Sequence, residues 1–239
     1  MEYGLQMYSV RDITKDDLAG AVKKVAQIGY KLIEFAGFFG ASAEEVNKML
    51  SENGVRVSGT HTGLTERLNE YEGTLAFHKA IGNQYYIIPG HDLSTRAKLD
   101  AFIDNVNRLQ PMLEKEGIKL CYHNHSHEFE PNEDGQIIYD ELVARTNLGL
   151  EIDTYWAFAA KQDPIALMEK LRDRLHFIHI KDGLADKTGK PLGQGEAPVK
   201  AVYQKAKEMG IPMIVESETL QPDGLTEAKI CYDFLKAQE

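Results

Sequence analysis

Two cysteines are all that the 239 residues contain, and neither belongs to a close-spaced Cys/His cluster. That excludes a zinc site of the finger type. Cys121, in an apolar strand pattern, and Cys231, in a terminal helix pattern, read as small buried hydrophobes. Long apolar runs are also missing, so no segment approaches a membrane span. Met1-Glu-Tyr-Gly-Leu has no basic region ahead of its apolar residues and does not read as a secretion signal, which makes a cytoplasmic location the expectation. Basic charge is scarce: 27 Lys and Arg face 37 Asp and Glu, a formal net charge of −10. An extended nucleic-acid-binding surface is disfavoured, because such affinity comes largely from Lys and Arg neutralising phosphates, although a local basic pocket is still allowed. No linker or low-complexity tract divides the chain, and residues 1–239 read as one domain.

What is present is the composition of a soluble globular protein, 43% hydrophobic and 27% charged, at a length that α/β barrels occupy as one unit. One motif recurs: an amphipathic helical pattern, a glycine suited to the left-handed position after a helix, then a short β-rich run. Val22 to Gly29 before Tyr30–Phe35 is one instance and Val46 to Gly54 before Val55–Thr60 another, with Gly82, Gly117 and Gly210 punctuating likewise. Ser42 with Glu45 fits a capping box, and Asp163-Pro164 an N-cap followed by proline. The spacing predicts strands near 3–8, 31–35, 55–60, 84–88, 118–123, 148–153, 175–180 and 211–216. It predicts helices near 15–28, 42–53, 71–81, 97–116, 137–145, 164–174, 198–209 and 225–237. Eight alternations with right-handed crossovers favour a closed (β/α)₈ barrel, the TIM-barrel class of α/β fold.

Four of the predicted strands end in metal-binding or proton-transferring side chains. They are Ile118 to His125, Leu148 to Asp153, His176 to Asp182 and Ile211 to Glu218. Strand ends of a parallel barrel converge on one face, so Asp153, His179 and Glu216 form a mixed nitrogen–oxygen set for one divalent cation. His123 and His125 are two apart and would share a side of an extended strand; Glu128 follows closely. Gln6, Tyr8, Glu34, His61 and His91 lie at or just after the ends of earlier strands, where polar groups would contact a polyol. Lys181 is a candidate for oxyanion stabilisation, and Trp156 with Phe158 for an apolar wall.

These motifs carry a resemblance. Gly4-Leu-Gln-Met-Tyr-Ser-Val-Arg-Asp12, Tyr122-His-Asn-His125 with Glu128-Phe129, Phe177-Ile-His-Ile-Lys-Asp182 and Leu192-Gly-Gln-Gly-Glu196 are similar to motifs of the xylose isomerase-like TIM barrel superfamily, the sugar phosphate isomerase/epimerase family. The resemblance covers nearly the whole chain. It implies one divalent ion (Mn, Mg, Co or Zn) held by Glu, Asp, His and Glu from four strand ends. Asp153, His179 and Glu216 match the last three, whereas the first aligns with His123. Either that imidazole is the fourth ligand or Glu128 folds back to supply the carboxylate, and Glu128 is the expected ligand.

The implied activity is a metal-dependent sugar or sugar phosphate isomerase or epimerase acting through an enediolate. Glu216, His123, His125 and Lys181 are the candidate catalytic groups, and Gln6, Tyr8, Glu34, His61, His91, Trp156 and Glu218 the substrate contacts. A dehydratase acting on a keto-sugar or keto-inositol would use the same parts, and a carbohydrate-binding barrel without catalysis is the non-enzyme alternative. The expected partner is a small-molecule sugar, with no nucleic acid and no membrane; a homodimer is an open option.

Overall fold

The computed structural model describes residues 1–64 and 68–239. Eight parallel strands close a barrel: β1 (Gly4–Gln6), β2 (Leu32–Phe35), β3 (Arg56–His61), β4 (Tyr85–Ile88), β5 (Lys119–His123), β6 (Gly149–Asp153), β7 (Leu175–Ile180) and β10 (Met213–Val215). The order β1-β10-β7-β6-β5-β4-β3-β2 is closed by β1, where Gly4 pairs with both Leu32 and Ile214. β8 (Asp182–Gly183) and β9 (Gly189–Lys190) form a small antiparallel hairpin in the connection after β7. The expected (β/α)₈ architecture is the observed one.

Alternate residues of each strand point into the barrel, and along several strands the inward residue changes from apolar to polar toward the carboxyl end. On β7 the series is Phe177, His179 and, just beyond, Lys181; on β5 it is Cys121, His123; on β10 and past it, Ile214, Glu216; on β2, Leu32, Glu34. Leu32, Ile87, Cys121, Phe177 and Ile214 pack together as an apolar plug in the lower barrel. Room for it comes from glycine: a Cβ on Gly4 would stand 2.3 Å from Ile214 Cδ1, and one on Gly59 2.7 Å from Ile87 Cδ1. The upper layer is therefore polar by sequence and desolvated by construction. Around the barrel, helices seal the outer strand faces with Val22, Val25, Val46, Leu50, Val202 and Leu235 among others. A fully buried side chain of that kind contributes about 1.5–3 kcal/mol.

The capping box at Ser42 and Glu45 forms, and Asp163 caps the helix Pro164–Lys170. Gly54 and Gly210 adopt the left-handed conformation after their helices. Both cysteines are free and buried. Some boundaries differ from expectation. The first strand stops at Gln6, because the Gln6 side chain accepts a hydrogen bond from Tyr8 N (3.0 Å) and turns the chain into a 3₁₀ segment, Met7–Val10. The predicted helix 15–28 begins at Leu18, where Asp17 caps Gly20 N, and a separate short helix spans Arg11–Thr14. A short helix, Thr154–Ala159, was not predicted. Among the described residues no helix is long and apolar enough to cross a membrane.

Candidate active site

The polar layer resolves into two groupings that share His123 and His179. The outer one, at the mouth, consists of His123, Asp153, His179 and Glu216, each offering one ligand atom within 4.8 Å of the others. His179 Nδ1 lies 3.3 Å from Glu216 Oε2. Asp153 divides its work: Oδ1 accepts from Trp156 N at 2.8 Å, capping the Thr154–Ala159 helix, while Oδ2 is buried with no hydrogen-bond partner. Lys181, fully buried, donates to Glu216 Oε2 at 3.0 Å and to Glu218, stands 3.8 Å from Asp153 Oδ2, and lies 4.7 Å from the centre of the Trp156 ring.

The inner grouping contains Glu151. It is two residues before Asp153 on β6, hence on the same inward face one layer deeper. Its Oε2 is 2.7 Å from His61 Nε2, 3.2 Å from His179 Nε2 and 3.3 Å from His123 Nδ1, the last without hydrogen-bond geometry. Glu34 joins from β2: its Oε1 is 2.7 Å from His179 Nε2 and accepts from Gln6 Nε2 at 2.7 Å. His179 thus turns Nδ1 to the mouth and Nε2 to the inner carboxylates. Glu151 was not among the expected site residues. The two-residue spacing that joins His123 to His125 would have found it.

Burial and these pairings set the charges. Burial opposes ionisation of Glu151 and Glu216, but His179 with the other histidines for Glu151, and Lys181 with His179 for Glu216, hold both well below the usual carboxylate range. Burial would also lower His179, yet Glu151, Glu34 and Glu216 outweigh it and raise its pKa well above the ordinary value. The same contest raises His61 and Lys181. Glu34 and Asp153 are each pushed up to about 7, by burial first and then by Glu151 and Glu216 respectively. His123 is driven well below its ordinary value by burial and by His179, and His125 is lowered by burial.

A neutral imidazole at His123, an Asp153 oxygen that accepts no hydrogen bond, an ionised Glu216 and, once it yields the proton its carboxylate neighbours hold on it, His179 Nδ1 make a donor set that fits a divalent cation of intermediate softness. Glu128 stands apart from it. It is buried, accepts from Tyr122 OH at 3.0 Å and from His125 N at 2.8 Å, and belongs to a separate grouping with His125 and His127. Its carboxylate shapes the turn that carries His125. His91, expected as a substrate contact, packs on Phe102 with ring centres 4.8 Å apart. It is not among the residues lining the mouth cavity of about 500 Å³, which Tyr8, His61, His123, His125, Glu216 and Glu218 do line. Gln6 and Glu34 lie in the layer beneath. A larger cavity, about 1050 Å³, opens at the amino-terminal end beside Arg56, Tyr85 and His176. None of the imidazole–carboxylate groupings lies there, so the chemistry is assigned to the other end.

Two carboxylates outside the groupings secure the covering loops. Asp182 accepts from the backbone N–H groups of Gly183 (2.8 Å), Gly193 (2.9 Å), Gly195 (3.0 Å) and Ala197 (3.2 Å), so the Leu192-Gly-Gln-Gly-Glu196 motif wraps around it. Glu227 accepts from Ser217 Oγ, from Thr219 Oγ1 at 2.8 Å and from Leu220 N at 2.8 Å, fixing the chain on either side of Glu218.

Comparison with known proteins shows which of them share this fold. A sugar phosphate isomerase/epimerase from Parabacteroides distasonis is 25% identical, with a TM-score of 0.84 over 98% of this chain and 96% of that one. An L-ribulose 3-epimerase, 15% identical, has a TM-score of 0.73 over 100% of this chain and 94% of its own. The inosose dehydratase of Geobacillus kaustophilus is 20% identical over 186 residues, 67% of this chain but only 60% of that protein's length. The family model described as xylose isomerase-like TIM barrel matches residues 22–237, and the chain belongs to that family.

Proposed function

We propose that this protein is a metal-dependent enzyme that enolises a sugar or sugar derivative, acting as an isomerase or epimerase. The observation that carries the reading is the convergence of His123, Asp153, His179 and Glu216 beside Lys181 at the barrel mouth, where His123 and Glu216 line the cavity. Asp153, His179, Glu216 and His123 would hold the divalent ion. When bound, it supplies fixed positive charge beside the substrate's carbonyl and adjacent hydroxyl oxygens.

The chain's own groups account for the rest. Glu216, held ionised by Lys181 and His179, lines the mouth cavity and is the carboxylate placed to remove a proton next to the carbonyl. Lys181, tied to Glu216 and Glu218, would stabilise through space the oxygen that gains negative charge in the resulting enediolate. His125 lines the cavity, and its buried Nδ1 has no partner, so this atom is available to carry a proton. Return of the proton to the same carbon from the other face gives an epimer; return to the neighbouring carbon gives an isomer.

A second reading, dehydration, is favoured by one feature: an imidazole stands where the family's first carboxylate is expected, leaving Glu216 without a matching carboxylate base. The similarity to an inosose dehydratase agrees with it. One experiment separates the readings. The metal-loaded protein is incubated in heavy water with a panel of aldoses, ketoses and keto-inositols, and products are read by NMR and mass. Exchange of a single carbon-bound hydrogen is expected. Loss of water would select the dehydratase, and absence of both across the panel would remove the enzymatic reading.

A further inference from the structure

The mouth cavity is poor in free positive charge and edged by exposed aromatic rings. Among the described residues no Lys or Arg lines it. The two nearby cations are engaged: Lys181 by Glu216, Glu218 and Asp153, and Arg11 by the carbonyl oxygens of Tyr8 (3.0 Å) and Glu218 (2.7 Å). Beyond the proposed divalent ion, a phosphate monoester would meet Glu216 and Glu218, and no described Lys or Arg lines the cavity to hold it. Phosphate recognition ordinarily uses free Arg or Lys, or helix N-termini.

The rim is unusual in another way. Only three large hydrophobic residues are exposed among those described, and two of them, Tyr8 (44%) and Phe39 (52%), are at this end. Tyr8 lines the cavity; the Arg11 guanidinium lies over its ring at 4.3 Å. Phe39 follows Gly37, itself a lining residue, and its ring tip is 3.9 Å from where a Cβ on Gly37 would stand. Its neighbour Phe38 turns inward onto Phe35 and Phe77, so the loop separates one buried ring from one displayed ring. Phe39 does this at φ 51°, a backbone conformation that bulky residues avoid and that gathers at ligand clamps. The cavity's 500 Å³ falls within the roughly 300–1,000 Å³ that encloses drug-sized molecules, more than a lone hexose of about a dozen heavy atoms needs.

We infer that the substrate is an uncharged sugar bearing a second ring, a further sugar or an aryl group, whose apolar face rests on Tyr8 and Phe39. This rests on the enolising site proposed above, which handles the first ring. The second ring can be carried on any carbon that does not enolise.

The test measures binding by calorimetry to the Mn²⁺-loaded protein for matched sets: free hexoses, their 6-phosphates, disaccharides and aryl hexosides. Proton exchange in heavy water is followed in parallel. Disaccharides or aryl hexosides should bind about tenfold more tightly than free hexoses, and 6-phosphates no more tightly. Which two-ring set gains identifies the second ring. In Tyr8→Ala and Phe39→Ala the two-ring advantage should shrink to less than about threefold. Equal or tighter binding of free hexoses or of phosphates overturns the inference, and exchange in those compounds would leave enolisation standing. Two-ring preference without exchange in any compound upholds the inference while removing the enolisation. Binding of none of the sets overturns it.

Discussion

Glu151 Oε2 lies 2.7 Å from His61 Nε2, beneath the mouth of the barrel and out of reach of solvent. The same oxygen is 3.2 Å from His179 Nε2, so one buried carboxylate fixes the orientation of two imidazoles, one of them in the outer grouping. Partners of this kind set the tautomer and aim of a ligating histidine, and their loss typically costs 10–100-fold in metal affinity. Glu151→Gln should therefore weaken Mn²⁺ binding by about tenfold or more. It should also destabilise the fold by about 3 kcal/mol, because buried imidazoles lose a paired charge. Calorimetric titration and urea denaturation read the two effects; wild-type metal affinity in a folded mutant would refute the positioning role.

For Glu216→Gln, turnover should fall by roughly a hundredfold or more, since the change removes a charge from the mouth and the group prepared to take a proton. The sequence alone suggests little cost in stability. The structure revises that expectation, because Glu216 accepts from the buried Lys181 at 3.0 Å. Weakening this pair should cost about 1–3 kcal/mol, softened by Glu218 and Asp153, which also face the ammonium. Wild-type turnover in a fully metal-loaded mutant would eliminate Glu216 from the reaction.

A group remote from the site governs a separate pH effect. His78 is buried against Thr60 and Asn83, and burial lowers its pKa to about 4 from an ordinary 6.5. The folded protein holds it neutral while the unfolded chain protonates it, so its contribution is fully present above pH 6.5 and is lost as pH falls toward 4. The loss is on the order of 3 kcal/mol. Urea midpoints measured across this range should decline less steeply in His78→Gln than in the wild type; parallel curves would exclude His78 as a source of acid sensitivity.

The alternating pattern made the barrel legible, because each strand is a short apolar run between glycine-marked turns, and the polar strand ends pointed to the mouth. Local chemistry was harder to read. Thr154-Tyr-Trp-Ala-Phe-Ala159 is too short to show helical periodicity, and its helix depends on the cap from Asp153, whose spare oxygen meanwhile faces the outer grouping. Glu151 sits inside an apolar run and reads as an interruption until strand alternation is followed one layer down. Glu128 presented the opposite difficulty: close to the histidines in sequence, it is tied by Tyr122 and the His125 backbone into the turn wall. Asp182 binds its loop through backbone N–H groups alone, an interaction that has no residue-type signature at the partner positions.

The separation of His123 from Glu128 decides the fourth ligand experimentally. His123 shares the outer grouping with Asp153, His179 and Glu216, and burial keeps its imidazole neutral, the form that binds metal. Glu128 has an oxygen committed to each of two donors and lies in the other grouping. His123→Ala should reduce Mn²⁺ affinity at least about tenfold, whereas Glu128→Gln, which keeps an acceptor for Tyr122 or His125, should alter it by less than about threefold. Calorimetry on both variants, after urea denaturation establishes that each is folded, gives the ranking. If Glu128→Gln proved the more damaging to metal binding while His123→Ala bound normally, the ligand would come from the loop after β5. His123 would then be left to contact substrate or transfer protons beside Glu216, and the outer shell would be richer in oxygen than the grouping at the strand ends indicates.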